Sequence, residues 1–153
     1  MDNSNIFLAI KAVIVGVFGA FGAAFGWLGW LVVAWVGCMV VDWLSGSSAA
    51  MQAGEWSSAK ARSGIWHKAG MIVVVIVAAV ADSVLALVVD SIPGIPIEYT
   101  VLLLPMVLVW YILTELGSIL ENAAAMGAPV PEFLIRILAS AKEKVEVATE
   151  DTE

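Results

Sequence analysis

Four carboxylates lie in or beside long apolar stretches of this chain, and they are the residues best placed to do chemistry. They are Asp42, Asp82, Glu115 and Glu121. A charged carboxylate in the middle of a lipid bilayer costs about 2.5 kcal/mol or more, so it faces protein or water, pairs with a base, or stays protonated. Lys68 closes a polar stretch of the chain and is the candidate ion-pair partner of Asp42 and Glu115.

Asp82 is the deepest of these acids, because it lies inside the apolar stretch 69–89 with no basic residue near it in the sequence. We predict that Asp82 faces a contact between subunits or an aqueous lumen. Asp42 and Glu115 lie near the ends of their apolar stretches. For these two acids a structural role, in which they hold neighbouring helices in register, is the simpler interpretation.

The first apolar run sets the fold class. Residues 12–41 contain no ionisable side chain except Cys38. One helix of that length would extend roughly 45 Å, well beyond a hydrocarbon core of ~30 Å. Glycines punctuate the run and tryptophans lie near its centre, so we expect a hairpin of two short helices, about 6–25 and 27–44, that turns at residues 26–29.

Two further apolar stretches, 69–89 and about 99–116, predict two more spans joined by a proline–glycine turn at 90–96. Pro105 lies near the start of the last span or kinks it. Residues 131–147 place apolar and charged side chains on opposite sides of a helix, which would lie on the membrane surface or pack against its copies. The predicted fold is an all-α integral membrane protein with about four transmembrane helices and a C-terminal amphipathic helix.

Basic residues predict the topology. With four spans and a cytoplasmic N-terminus, all seven Lys and Arg residues fall on the cytoplasmic side, as the positive-inside rule requires. Three spans would instead place Lys11 outside; a first hairpin that re-enters without crossing is the alternative. We predict an uncleaved transmembrane domain over residues 1–126 and a cytoplasmic amphipathic helix with an acidic tail over residues 127–153, so that both termini are cytoplasmic.

Small residues recur close to one face of the first helix, where they would let another helix approach its backbone closely. This candidate packing face consists of Gly16, Gly19, Ala20, Gly22, Ala23 and Gly26. Packing within the hairpin and self-association between chains are equally good interpretations of it.

Composition narrows the class of protein. A hydrophobic fraction of 61% and a mean hydropathy of +0.97 exclude an ordinary soluble domain, and a net charge of -7 gives no reason to expect a nucleic-acid partner. The single cysteine allows no internal disulfide, and the single histidine, His67, leaves too few residues for a metal site or a nucleophile–base pair. We therefore expect no enzymatic activity and no cofactor.

From about residue 41 onward the chain resembles phage holins of the toxin-secretion/phage-lysis type. Three blocks carry the resemblance: residues 41–46 (VDWLSG), residues 57–70 followed by an acid at Asp82, and residues 115–122 (ELGSILEN) with the proline exit at 127–131 (GAPVP). The N-terminal hairpin is similar in character but has no diagnostic motif. The resemblance covers roughly three-quarters of the chain.

The resemblance implies a bacterial inner-membrane protein that accumulates harmlessly and then assembles at a set time into membrane lesions. Such lesions release a cell-wall hydrolase (an endolysin) or, in some relatives, a toxin. Partners would be further copies of the chain and the lipid bilayer, with no need for direct binding to the endolysin. In this interpretation the glycine face and the Asp82 helix make contacts between subunits, polar faces line the hole, and the charged tail, residues 142–153, tunes the timing.

Two alternatives remain open. A small proton-coupled drug exporter would use Asp82 or Glu115 to bind a cation and a proton alternately. The holin-like blocks argue against this alternative. A regulator of the antiholin type, which binds a pore-forming protein without forming a pore, would share the same helices and packing faces.

Overall fold

The computed structural model describes residues 3–92 and 100–150, and within these residues all regular structure is helical, as the sequence predicts. The helices are α1 (Asn3–Gln52), α2 (Ser58–Ser91), α3 (Leu103–Ala125) and α4 (Glu132–Glu150). The chain divides into two compact units, one up to Val33 and one from Ala34 onward.

Three helical segments are long and apolar enough to cross a membrane: Gly26–Gln52, Ser58–Ser91 and Leu103–Ala125. A shorter apolar helix, Ile6–Val17, precedes them. The structure thus supports three spans, and the fourth span of the sequence prediction stays a prediction.

In the first unit, Gly26 interrupts α1 with φ 58° and ψ −153°. This backbone conformation is one that glycine adopts without the steric cost of a Cβ atom. The indole of Trp30 lies against Gly22, where an added methyl group would come within 3.0 Å of Nε1. Along an unbroken helix these two residues would be separated by ~12 Å, so the break at Gly26 brings them together.

The prediction that the second helix ends near residue 44 is wrong, because α1 continues to Gln52. Beyond the predicted end, two serines donate hydrogen bonds to carbonyls of the same helix: Ser45 Oγ to Asp42 O (3.1 Å) and Ser48 Oγ to Leu44 O (2.8 Å). The helix ends just before Gly54, whose φ of 70° suits a residue that follows a helix C-terminus.

Helix α2 begins well before the predicted residue 69, because Ser57 caps its N-terminus by accepting a hydrogen bond from Lys60 N (3.2 Å). Its first turns therefore carry the polar stretch that ends at Lys68. Helix α3 begins at Leu103, which places Pro105 in its first turn, where a missing N–H leaves no helical hydrogen bond unmade. It continues past the predicted end at 116 to Ala125.

Helix α4 packs against α3 within the second unit. The sequence led us to expect this helix on the membrane surface or against its copies; the contact with α3 tests neither position, so both stay predictions. Residues 93–99, which include most of the predicted turn 90–96 and the predicted start of the last span, lie outside the described residues, as does the end of the acidic tail at 151–153.

The buried apolar core of the second unit is small. It consists of Trp35, Met39, Met71, Ala78 and Leu108, and the ring of Trp35 stacks on that of Tyr111 with centroids 6.1 Å apart. Many apolar side chains of α2 point outward, among them Val73, Ile76, Val77 and Val80. An apolar outer surface of this kind is expected where lipid rather than water surrounds a helix.

Candidate functional site

Three helices of the second unit meet at Lys68. Its Nζ atom on α2 donates to Asp42 Oδ2 on α1 (2.9 Å) and to both carboxylate oxygens of Glu115 on α3 (2.8 Å to Oε1 and 2.6 Å to Oε2). Charge-assisted hydrogen bonds of this length are among the stronger polar contacts in proteins. We call these three residues the Lys68 site. They are the ion pairs that the sequence led us to expect.

Burial makes the Lys68 site more than a surface contact. The exposed fraction of the side chain is 15% for Lys68, 20% for Asp42 and 5% for Glu115. Ions removed from water lose hydration, and the remaining partner of a broken buried pair is strongly unfavourable. One ammonium group between two carboxylates therefore favours the arrangement in which α1, α2 and α3 stay together at this level.

Asn122 extends the site along α3. Its Nδ2 atom donates to Asp42 Oδ1 (2.9 Å) and to Ser45 Oγ (3.1 Å). Gly46 leaves room for this amide, since a methyl group at Gly46 would lie 3.3 Å from the same nitrogen. Ser45 and Asn122 lie in two of the blocks that carry the holin resemblance, but the sequence analysis assigned neither a contact. A spacing of two helical turns places Asn122 on the same face of α3 as Glu115.

Asp82 occupies a separate position near the start of α3. Its carboxylate accepts hydrogen bonds from three backbone N–H groups: Leu102 and Leu103 to Oδ1 (3.2 and 3.0 Å), and Leu104 to Oδ2 (2.7 Å). The first N–H groups of a helix have no partner within the helix, and a negative charge there also interacts favourably with the helix dipole. We call this arrangement the Asp82 cap.

The Asp82 cap corrects the sequence prediction for this residue. We expected Asp82 to face a subunit contact or an aqueous lumen, but only 3% of it is exposed, and it points at α3 of its own chain. The physical reason is that the start of α3 offers a cluster of backbone donors that no inspection of neighbouring side chains would reveal.

The other predicted residues make no hydrogen bond to the Lys68 site or the Asp82 cap among the contacts that the structure describes. Glu121 is exposed and lines a cavity of about 360 Å³, together with Trp43, Trp56 and Lys60, next to the Lys68 site. On the predicted packing face in the first unit, Gly22 contacts Trp30, whereas in the described residues nothing lies within 4 Å of a methyl group placed on Gly16 or Gly19. Ala20 and Ala23 are exposed.

The chemistry open to this arrangement is the binding of charge and the fastening of helices. In the part of the chain that the structure describes, no three His, Cys, Asp or Glu residues are placed to hold a metal ion. His67 is exposed and lies beside the Lys68 site only in sequence.

Comparison with known proteins gives one positive result. The family model described as the bacteriophage holin family matches residues 19–143 of the chain. That range contains all three apolar spans, the Lys68 site and the Asp82 cap. Neither the curated proteins nor the solved structures include a significant match.

Proposed function

The chain belongs to the bacteriophage holin family, and we propose that it oligomerises in the bacterial cytoplasmic membrane and forms timed lesions through which an endolysin escapes. The observation that carries this proposal is the family match over residues 19–143, which contain the three spans that the structure supports. The endolysin needs only the opening, so the two proteins have no need to bind each other.

The Lys68 site and the Asp82 cap support a protomer that is firmly assembled within the apolar layer. Both buried acids are compensated inside the chain, one by an ammonium group and one by backbone N–H groups. Each protomer can therefore accumulate in the membrane without leaving a buried charge exposed to lipid. A protein that accumulates in the membrane before it forms lesions needs buried charges that are compensated within each protomer.

For the N-terminal part of the chain we propose a hairpin that crosses the membrane twice. The protein then has four spans, and both termini lie in the cytoplasm. The break at Gly26 and the contact between Trp30 and Gly22 support a reversal of the chain at this point. With this topology all seven Lys and Arg residues lie on the cytoplasmic side, as the positive-inside rule requires. Residues 1–126 then form the membrane domain, and residues 127–153 form the cytoplasmic segment.

Contacts between subunits are proposed to use the open part of the small-residue face. Gly16 and Gly19 have free space around them in the described chain, so a helix of a second copy could approach their backbone closely. Gly22, in contrast, is covered by Trp30 of its own chain. The open end of the face, at Gly16 and Gly19, thus favours self-association between chains, whereas the covered end, at Gly22, favours packing within the hairpin.

The experiment that tests the proposal is inducible expression in a bacterium with and without a cytoplasmic endolysin, while culture density and membrane potential are followed. We expect a delay, then abrupt loss of the membrane potential, and lysis only when the endolysin is present. The double substitution Gly16→Leu with Gly19→Leu should prevent the abrupt step, whereas the matched change Gly37→Leu, at another glycine with free space around it, tests whether added bulk alone is responsible.

Two results would contradict the holin assignment at confirmed membrane expression. Growth without loss of potential, but with resistance to cationic dyes, would indicate an exporter. Growth with neither effect, together with a changed lysis time of a co-expressed pore-forming protein, would indicate a regulator.

A further inference from the structure

One indole ring of α3 makes two polar contacts with helix α4. Trp110 Nε1 donates to Glu146 Oε1 (2.9 Å), and Lys142 Nζ lies 4.4 Å from the centroid of a Trp110 ring. Lys142 and Glu146 are one helical turn apart, so both reach the same ring from one face of α4. The contact is therefore polar at a position where α3 is otherwise apolar.

The position of this contact relative to the Lys68 site shows how far α4 extends along the apolar segments. Trp110 precedes Glu115 by five residues on the apolar side of α3, which is ~7.5 Å along the helix. Val145 and Glu146 share a cavity of about 290 Å³ with Val74, which follows Lys68 by six residues on α2. The C-terminal half of α4 thus lies beside the apolar parts of two spanning helices.

Where the two helices pack, the charged half of α4 lies beside the apolar part of α3, and the more apolar half of α4 lies near the polar end of α3. We call this arrangement the inverted polarity of α4. Its C-terminal half contains Lys142, Glu143, Lys144, Glu146 and Glu150, and this half lies beside the apolar part of α3. Its N-terminal half contains Phe133, Ile135 and Ile137, all exposed, and Ile135 shares a second cavity with Glu121 near the polar end of α3. Lipid around the docked helix would contact charges at the level of the apolar layer, which is unfavourable.

From this inverted polarity we infer that α4 docks on α3 only when the lesion forms, and that its charged half then lines the water-filled lesion. The inference rests on the proposed function. In the undocked state the apolar residues of the N-terminal half can enter the membrane surface, as amphipathic helices do. In the docked state Glu143 and Lys144, both exposed, face the lumen.

The packing between α3 and α4 suits a contact that forms and breaks. Two open cavities, of about 440 and 290 Å³, lie along it, and Trp110 borders the smaller one as well as making both polar contacts described above. Removal of the Trp110 hydrogen bond should therefore have a large effect on docking and little effect on the rest of the protomer.

Chemical cross-linking tests when α4 docks. The pair Gly117→Cys and Ala139→Cys, in a Cys38→Ser background, places two thiols on the 440 Å³ cavity, and nothing lies within 4 Å of a methyl group at Gly117. Membranes are collected before and after the loss of membrane potential and treated with a flexible bifunctional maleimide. The species that runs at the mass of a single chain is isolated on a denaturing gel, which removes links between chains. Cyanogen bromide then cleaves it at Met126, the only methionine between the two cysteines, so the two pieces stay joined only where the chain is cross-linked.

We expect the cross-linked fraction to rise at least several-fold when the membrane potential is lost. A high fraction that does not change at that moment would overturn the inference, as would the absence of cross-linking throughout. Either result with normal loss of potential leaves the proposed function intact. If the potential never falls at confirmed expression, the proposed function fails and the inference fails with it.

Two variants complete the test. Trp110→Phe removes the donor to Glu146 but keeps a ring, and it should lower cross-linking after the loss of potential; Trp66→Phe, at an exposed indole on α2, should not. If the double-cysteine chain fails to accumulate, the single variant Val145→Cys in the same Cys38→Ser background gives a second measurement, because Val145 is half-buried beside Trp110 when α4 is docked. Its reaction with a monofunctional maleimide should slow when docking partly covers the thiol, and an unchanged rate would overturn the inference.

Discussion

Glu115 and Asp82 are both buried carboxylates on the bundle formed by α2 and α3, but different groups compensate their charges. Glu115 contacts an ammonium group, Lys68 Nζ, which it shares with Asp42. Asp82 contacts three backbone N–H groups at the start of α3. Lys68 and Asp82 are fourteen residues apart on α2, or ~21 Å, so the two sites fasten opposite ends of the α2–α3 contact.

This difference determines how each site responds to change. At the Lys68 site the loss of the lysine leaves two carboxylates on other helices without a cation. At the Asp82 cap the loss of the carboxylate leaves neutral backbone donors, which are less costly to bury than ions. We therefore expect the Lys68 site to be the more sensitive of the two.

The largest effect is expected from Lys68→Met. Two carboxylates would then face each other without a cation, and loss of one partner of a buried ion pair costs about 3–5 kcal/mol. The variant should accumulate poorly in membranes, lose its cooperative thermal transition in detergent and fail to cause lysis. Membrane yield by immunoblot and the circular-dichroism melting curve measure this outcome.

Lys60→Met is the matched control, because Lys60 pairs with Glu55 at the exposed start of the same helix. Exposed pairs contribute at most about 1 kcal/mol, so this variant should behave like the parent. Adding Glu115→Gln to Lys68→Met should restore part of the yield, since it removes one of the uncompensated charges. Equal yields for the two lysine variants would contradict the importance of the Lys68 site.

A smaller effect is expected from Asp82→Leu. The first N–H groups of α3 would lose their acceptors, which should destabilise the protomer by about 2 kcal/mol or more. Asp82→Asn keeps one carbonyl oxygen as an acceptor and should fall between Asp82→Leu and the parent. The melting temperature in detergent and the time of lysis after induction should change in this order.

Asp90→Asn, at an exposed acid near the end of the same helix, controls for the loss of charge alone. If Asp82→Asn and Asp82→Leu both left melting and lysis time at the parent values, the cap would have no role in the folded protomer. A changed lysis time with unchanged melting would instead return Asp82 to the role at a subunit contact that the sequence suggested.

The two sites also differ in how far the sequence reveals them. Lys68 was identifiable because a chain with seven basic residues offers few partners to acids in apolar stretches. The partner of Asp82 was not, because backbone donors become available only where α3 begins, at Leu103, and the sequence predicted a start near residue 99. The same limit applies to the end of α1, where Ser45 and Ser48 continue the helix by local hydrogen bonds, and to the docking of α4 on one tryptophan among seven.

A moderate effect is expected from Asn122→Ala, which sharpens the comparison within the Lys68 site. Its amide donates to Asp42 Oδ1, to Ser45 Oγ and, at 3.4 Å, to Asp42 O, and a hydrogen bond typically contributes about 0.5–1.5 kcal/mol. The melting temperature should fall by less than in Lys68→Met. Glu121→Gln, at the exposed neighbouring position, should leave it unchanged; a larger fall for Glu121→Gln would show that the amide is not what holds Asp42 in place.

The smallest effect is expected from Gly46→Ala, and it tests whether the closeness of α1 to Asn122 matters. Alanine is favoured over glycine inside a helix by about 0.5–1 kcal/mol, so Gly37→Ala, where the added methyl group meets nothing within 4 Å, should raise the melting temperature. At Gly46 the methyl group would lie 3.3 Å from Asn122 Nδ2, and displacement of the amide should cancel that gain. In an Asn122→Ala background the obstacle is gone, so Gly46→Ala should then stabilise as much as Gly37→Ala does. A Gly46→Ala effect that is the same in both backgrounds would mean that the two residues are not coupled, and that Asn122 holds Asp42 without depending on the glycine beside it.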